Sequence, residues 1–253
     1  MEILEAVHHV THLSVSYLSE TSLSVSYLTE TSIWTDIREL DWAEIREETW
    51  NTLIMIGLSM LFTVLIGLPL GVLVFLFSKG QMLQNLAFYH GLSLVINVLR
   101  SIPFVILMIL LFPVTRELVG VTYGVKGTIP PLVIAAAPFF ARLVETSLRE
   151  VDRGVIEAAQ SMGASPMQII WKVLLRESRP GMIAGVTITA VTLVSYTAMA
   201  GIIGGGGLGD LAIRYGYQRF DAAVMYVTVV ILIILVQVLQ LIGDQLVQRY
   251  TRK

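Results

Sequence analysis

The sequence predicts an all-α membrane protein with five transmembrane helices. Of its 253 residues, 55% are hydrophobic and only 14% are charged, whereas soluble domains carry about 25% charged residues. The hydrophobic residues are concentrated in long runs, and a run of about 20 apolar residues can cross a bilayer as a helix. The low charge and the long apolar runs together place the chain in a membrane.

The first two spans are predicted between residues 52 and 114. The first covers residues 52–77, where Gly67 and Gly71 form a small-residue pair that lets another helix approach closely. Residues 86–114 are too long and too mixed for one straight span. An interfacial or buried helix, a break at Pro103 and then the second span are therefore predicted there.

The remaining three spans follow at shorter intervals. The third is predicted to begin near Ile129 and to continue past Arg142, with Pro130 and Pro131 in its first turn, where a missing N–H matters least. Pro138 predicts a kink within it. The fourth and fifth spans are predicted at residues 182–203 and 222–242.

The chain before the spans is predicted to form two regions. Residues 1–33 are an acidic tail with two near-identical decapeptides, LSVSYLSETS (13–22) and LSVSYLTETS (23–32). Two copies are too few for a repeat fold, so a loosely attached extension is expected. Residues 34–50 are predicted to form an amphipathic helix on the membrane surface, because tryptophans flank it and prefer that boundary.

Five crossings place the two termini on opposite sides of the membrane. With the C-terminus in the cytoplasm, the cytoplasmic segments hold nine lysines and arginines and the outer segments hold six. Positive residues favour the cytoplasmic side. The N-terminus is therefore predicted outside, and the C-terminus and the loop at about residues 150–180 inside.

Several kinds of chemistry are not expected. Cysteine is absent, which excludes disulfides and thiolate metal sites. His8, His9 and His12 lack acidic partners at a clear spacing, so a coincidental cluster is preferred to a metal site. The start of the chain lacks the basic segment of a cleaved signal peptide. No nucleic-acid partner is expected.

Glycine-rich residues 204–209, GGGGLG, satisfy the dinucleotide pattern G-x-G-x-x-G. They follow a predicted span and not a strand, so nucleotide binding is not expected there. A flexible outer loop or a re-entrant turn, serving as a gate or docking surface, is expected instead. No Walker A motif is present, so the chain is not expected to hydrolyse ATP by itself.

The polar segment EAAQSMGASPMQIIWKVLLRE, residues 157–177, carries the signals of two helices with a sharp corner. Gly163 is predicted to end the first helix with a positive φ. Ser165 and Gln168 form a Ser-x-x-Gln capping box for the second, with Pro166 at its first position. The apolar side of the second helix consists of Ile169, Ile170, Val173 and Leu174.

Two interpretations of this segment remain open from the residues alone. In the first, it binds another protein: Glu157 pairs with an arginine there, and Ala158 and Ala159 leave room for the partner's surface. In the second, it is an amphipathic helix that lies on lipid.

The same segment resembles the EAA loop of ABC-importer permeases. That loop has E-A-A, three residues, Gly, nine residues, an aliphatic residue, one residue and then Leu-Pro. Here Val173 takes the aliphatic place, Arg176 replaces the proline, and Pro180 follows four residues later. Four segments resemble the branch of the family that imports D- and L-methionine, with coverage from about Trp42 to the end: RSIPFVILMILLFPVTR, AAAPFFARLVETSL, SMGASPMQIIWKVLL and SYTAMAGIIGGGGLGDLAIRYGYQRF.

This resemblance implies a permease domain over residues 51–253 in a bacterial inner membrane. It implies a homodimer with two separate ATPase subunits, which bind the ATP and Mg, and a binding protein that delivers the substrate. No cofactor, metal or catalytic residue is expected in this chain. The residues implied to couple the ATPase to the spans are Glu157, Ala158, Ala159, Gly163, Ser165 and Met167.

Ser195, Tyr196 and Met199 lie in the fourth predicted span, near its polar–apolar transition. They are candidates for lining the path or forming a gate, and ordinary helix packing is the alternative.

Two other functions are weighed against the importer. An ion- or proton-coupled carrier usually places carboxylates or histidines in mid-membrane, and the central parts of spans one, four and five have none. A structural membrane subunit would leave the capped two-helix segment unexplained.

Overall fold

The computed structural model describes residues 37–251, and every regular element in that range is helical. The helices before the corner are α1 (Trp42–Phe77), α2 (Leu86–Ser101), α3 (Phe104–Leu110), α4 (Phe112–Val119) and α5 (Gly124–Arg149). The corner contains α6 (Arg153–Ser161) and α7 (residues 166–177), whose middle turn, Ile170–Leu174, is π-helical. The last three helices are α8 (Arg179–Ala200), α9 (Gly207–Leu211) and α10 (Ala222–Thr251).

Four of these helices, α1, α5, α8 with its short extension to Ile203, and α10, are long and apolar enough to cross a membrane. The pair α2 and α3 becomes a fifth span when its two parts are taken together, although they meet at an angle of 104°. The break falls at Ile102 and Pro103, and Pro103 precedes the first residue of α3. The predicted break at Pro103 is confirmed, and so is the all-helical membrane fold class, with four or five candidate spans in residues 37–251.

Helix α1 differs from the sequence prediction, which separated a surface helix at residues 34–50 from the first span. The structure has one continuous helix of 36 residues. Asp41 caps it by accepting hydrogen bonds from the backbone N–H groups of Ala43 and Glu44. No glycine or proline lies between Trp42 and the first apolar residues of the span, so nothing interrupts the helix there.

The small-residue pair in α1 brings this helix into close contact with α5. A Cβ on Gly67 would lie 2.8 Å from the carbonyl oxygen of Ala137, and one on Gly71 would lie 2.5 Å from that of Ala141. Backbone atoms cannot move away from such a clash, so only glycine permits this separation. The predicted close helix contact is confirmed.

Helix α5 begins five residues earlier than predicted, at Gly124, and Pro130 and Pro131 lie inside it. Contacts with a distant turn hold its first residues in place. The N–H of Gly124 donates to the carbonyl oxygen of Gly204. The hydroxyl of Thr128 donates to the carbonyl oxygen of Gly205. These long-range bonds are invisible to local sequence signals.

Helices α8 and α10 also extend beyond their predicted limits. Helix α8 begins at Arg179, and α10 continues to Thr251, so Asp244 lies within the helix and not just after it. The core of the bundle has two main parts. One is centred on Met55, Met108, Leu132 and Leu193, and the other on Phe75, Phe140, Leu148, Ile169 and Leu174.

Candidate functional site

Helix α6 ends at the predicted glycine in a Schellman motif. Gly163 has a φ of 77°. Its N–H donates to the carbonyl oxygen of Gln160 at 2.9 Å, and the N–H of Ala164 donates to that of Ala159 at 3.1 Å. These are the two hydrogen bonds that define the motif. The backbone prediction for Gly163 is confirmed.

Helix α7 begins with the predicted capping box. The N–H of Gln168 donates to the Ser165 hydroxyl at 3.4 Å, and the Ser165 N–H donates to the Gln168 side-chain oxygen at 2.9 Å. Pro166 occupies the first turn, as predicted. Helices α6 and α7 are therefore joined by a short, locally defined turn, and together they form the helical corner, residues 153–177.

The apolar side of α7 packs onto the long helices. Ile169 and Leu174 are fully buried in the core part that contains Phe75 of α1 and Leu148 of α5. Ile170 and Val173, the other predicted apolar residues, are partly buried against the same cluster. The apolar side of α7 is thus covered by this chain's own spans and is not free to lie on lipid, which weakens the second interpretation.

The two alanines of the E-A-A motif have different surroundings. Ala158 and Glu157 are exposed, as a docking role requires. Ala159, in contrast, is only 5% exposed and packs into the core under the corner. The expectation that both alanines leave room for a partner is wrong for Ala159, because this side of α6 faces the spans.

The outer side of the corner carries a group of exposed, large apolar side chains that we call the corner patch. Met162 is 80% exposed, Met167 63% and Trp171 65%. Sequence reasoning included Met167 but missed Met162 and Trp171. A signal was available for Trp171, since a helix places it on a different face from Ile169, two residues earlier. Exposed apolar groups on a polar loop are typical of an interaction surface.

A charged cluster that the sequence did not predict lies just before the corner. The buried carboxylate of Glu145 pairs with Arg142 at 2.5 Å and with Arg149 at 2.7 Å. Arg142 also donates to the carbonyl oxygen of Ser93 and to the side-chain oxygen of Asn97 in α2. The cluster joins α2 to the end of α5 that leads into the corner.

The corner ends differently from the family pattern. Arg176, which stands in place of the proline, lies within α7, and the helix ends at Glu177. Pro180 sits in the first turn of α8, where proline is tolerated. Pro180 therefore begins the following span and does not end α7.

The candidate path residues of α8 lie partly on an uncovered face. Ser195 is exposed and Met199 is 45% exposed. Tyr196 is half-buried, and its ring stacks on Phe104 of α3 with centroids 4.6 Å apart. The structure thus separates the three residues: Ser195 and Met199 are open to a path or a partner, and Tyr196 packs α8 against the bent span.

The glycine-rich segment forms a tightly packed turn, which we call the glycine turn (residues 204–207). Gly204, Gly206 and Gly207 have positive φ angles. A Cβ on Gly207 would lie 2.6 Å from both Met55 and Thr52 of α1. This close packing argues against the flexible loop and leaves the re-entrant turn as a prediction. A dinucleotide site requires a preceding strand, and none precedes the segment within residues 37–251.

Charged residues surround the glycine turn. Arg214 pairs with Asp210 at 3.0 Å and with Glu44 of α1 at 3.4 Å. Partial burial lowers the pKa of Arg214, but Asp210 and Glu44 outweigh it, so its pKa is raised above its ordinary value. Because stability from a raised pKa is lost only as the pH rises through that value, this cation adds no pH dependence near neutrality.

Metal binding finds no support in the part of the chain that the structure describes. Residues 37–251 contain no group of three His, Asp or Glu side chains placed to hold an ion. His8, His9, His12 and the decapeptide repeat lie outside the described residues.

A bundle of long apolar helices with a polar helical corner packed onto it is the arrangement of a multi-pass membrane protein. Residues 67–252 match the family described as "Binding-protein-dependent transport system inner membrane component", and the chain belongs to this family. It is therefore the inner-membrane permease component of such a system.

Relatives with assigned names are similar over most of the chain. The "Probable D-methionine transport system permease protein MetI" of Vibrio cholerae is 53% identical over 201 residues, 79% of this chain and 89% of that protein. The "Methionine import system permease protein MetP" of Bacillus subtilis is 51% identical over 205 residues, 81% of this chain and 92% of that protein.

Two solved structures are also similar to most of this chain. The chain aligns with a structure titled "Inward facing conformations of the MetNI methionine ABC transporter: CY5 native crystal form", with a TM-score of 0.81, 45% identity and coverage of 83% of this chain and 97% of that one. The corresponding selenomethionine-soak form gives a TM-score of 0.79 at 46% identity, over 81% of this chain and 94% of that one.

Proposed function

We propose that this chain is the permease subunit of an ATP-driven importer of D- and L-methionine. The observation that carries the transport mechanism is the helical corner, which is capped at its turn, packed onto the ends of α1 and α5, and apolar on its outer side. Methionine as the cargo is supported by relatives about half identical to this chain that are named as methionine permeases.

The corner patch is the proposed contact with a separate ATPase subunit. Two copies of the chain pair around a central path, and each copy presents its corner to one ATPase. ATP and Mg bind the ATPase. Because Ile169 and Leu174 anchor α7 in the bundle core, a displacement of the corner is transmitted to α1 and α5. A binding protein delivers the cargo at the opposite face.

The corner is proposed to lie in the cytoplasm and the glycine turn outside. The corner contacts the end of α1 near Phe75, whereas the glycine turn contacts the start of α1 near Thr52, so the two lie at opposite ends of the bundle. The excess of lysine and arginine near the corner and the C-terminus supports this orientation.

The test is uptake of radiolabelled methionine into vesicles that contain this chain, its ATPase and, outside, the binding protein. Uptake is expected to require ATP and Mg, to resist an uncoupler, and to be inhibited by unlabelled D- or L-methionine more than by leucine. Uptake that proceeds without ATP and collapses with the uncoupler would instead establish the ion-coupled carrier. ATP-dependent uptake that leucine inhibits as strongly would reject methionine as the specific cargo.

A further inference from the structure

A second set of polar residues lies at the end of the bundle opposite the corner, on one face of α1. Glu44, Glu48 and Thr52 follow one another at intervals of four residues, so they line up along the helix. Each of them contacts the segment that follows α8. None belongs to the motifs that suggest the function, and nothing in the apolar pattern of α1 requires them.

Glu48 and Thr52 accept hydrogen bonds from the first backbone N–H groups of α9. The N–H of Gly207 donates to the Glu48 carboxylate at 2.7 Å, and that of Leu208 donates to the Thr52 hydroxyl at 2.8 Å. The first N–H groups of a helix have no partner within it, so these contacts satisfy donors that would otherwise be unpaired. A side chain on Gly207 would prevent the approach.

The glycine turn is bonded on its other side to the start of α5. The carbonyl oxygens of Gly204 and Gly205 accept from Gly124 and Thr128. The turn is thus held between two spans, and it directly continues α8, which carries Ser195 and Met199. The position of this end of α8 therefore depends on whether Glu48 and Thr52 keep their bonds.

We propose that Glu48 and Thr52 are positioning residues that hold the glycine turn in place and so keep the passage beside Ser195 closed at this end. Their bonds must open for cargo to enter. The proposal rests on the proposed transport function. It is supported by the two sets of hydrogen bonds that hold the glycine turn between α1 and the start of α5.

The experiment measures access to position 195 and uses the absence of native cysteine. Ser195→Cys is introduced as the single thiol, and a membrane-impermeant maleimide is added on the side of the glycine turn. Glu48→Gln keeps the size of the side chain but removes its charge, and Thr52→Val removes the acceptor hydroxyl. Glu48→Gln turns a charge-assisted bond into a neutral one, so we expect the labelling rate to rise roughly 5- to 10-fold. Thr52→Val removes a neutral bond, so we expect a rise of roughly 2- to 10-fold.

Glu47→Gln is the matched control, because Glu47 is exposed, adjacent, and forms no ion pair with any residue the structure describes. A single thiol from Tyr123→Cys, next to Gly124 and 69% exposed, reports that the maleimide reaches each variant equally. Labelling at position 195 that is the same in Glu48→Gln, Thr52→Val and Glu47→Gln would overturn the proposal. A lower unfolding temperature in Glu48→Gln and Thr52→Val, with unchanged labelling at position 195, would also overturn it, because the two residues would then have only a structural role.

The labelling assay contains neither cargo nor ATPase. A failure of methionine uptake therefore leaves this result unaffected, and the two proposals can fail separately.

Discussion

Gly163 occupies a backbone conformation that other residues adopt at a cost. A Cβ there would meet open space within 4 Å, so Gly163→Ala tests the φ of 77° without a clash. We expect it to reduce the free energy of unfolding by about 1 kcal/mol and to weaken co-purification of the ATPase, because the angle between α6 and α7 changes.

Gly120→Ala is the matched control for this prediction. Gly120 has a φ of 80° and is equally open, but it precedes α5 at the end remote from the corner. We expect the same loss of stability in thermal unfolding with no change in co-purification. An equal loss of the ATPase in both variants would show that stability and not the corner controls binding.

Glu145 is the only carboxylate between Arg142 and Arg149 in the cluster before the corner. Glu145→Gln leaves the half-buried Arg142 without its ion pair. We expect the free energy of unfolding to fall by about 2 kcal/mol. This is less than the loss for a fully buried ion pair, because Arg149 is 44% exposed. For a protein of this size that is a decrease of about 4–8 °C in the unfolding temperature.

Glu150→Gln removes a neighbouring, exposed carboxylate that forms no ion pair within residues 37–251. It should leave the unfolding temperature unchanged. A Glu145→Gln variant as stable as Glu150→Gln would mean that the cluster does not hold α2 against α5.

The residue-level features that the sequence predicted are those with local causes. Gly163 and the Ser165–Gln168 box act within one turn of chain, so the residue types alone indicate them. The burial of Ala159 depends on where α6 meets the spans, which no local pattern encodes. The bond between Glu48 and Gly207 joins positions 159 residues apart, and only the tertiary fold brings them together.

Among the elements, the contact between α1 and α5 is sensitive to side-chain size. A Cβ on Gly71 would lie 2.5 Å from a backbone oxygen and 2.6 Å from Cβ of Val144. Gly71→Ala must therefore move the two helices apart. We expect the free energy of unfolding to fall by about 1–3 kcal/mol. Thermal unfolding in detergent measures it.

Gly57→Ala is the control in the same helix, since a Cβ on Gly57 would meet nothing within 4 Å. It should not destabilise the protein. Equal unfolding temperatures for Gly57→Ala and Gly71→Ala would contradict the close contact of α1 with α5.

The boundaries of the elements were the weakest part of the sequence prediction. Apolar runs locate the part of a helix that lies in lipid, but a helix continues into water wherever caps and contacts support it. Asp41 supports the early start of α1, and the glycine turn supports that of α5. The break at Pro103 was predictable because proline has a local effect on the backbone.

For the whole molecule, the decisive surface is the corner patch. Trp171 is 65% exposed and Trp50, near the other end of α1, is 63% exposed. We expect Trp171→Ala to weaken binding of the ATPase about 10-fold or more, as truncation of a tryptophan in an interface often does. Binding titrations of the purified permease with its ATPase measure this.

Trp50→Ala should leave ATPase affinity unchanged, and both variants should unfold at the wild-type temperature because both side chains are exposed. Equal affinities in the two variants would remove the corner patch from the interface.

The continuity of α1 has a mechanical consequence. At 1.5 Å per residue, its 36 residues make a rod about 54 Å long. One end is bonded to the glycine turn and the other is embedded beneath the corner. A tilt of about 10° about the midpoint of such a rod moves each tip by roughly 5 Å, farther than the reach of a hydrogen bond. A modest push at one face of the membrane is thus geometrically sufficient to part contacts at the other.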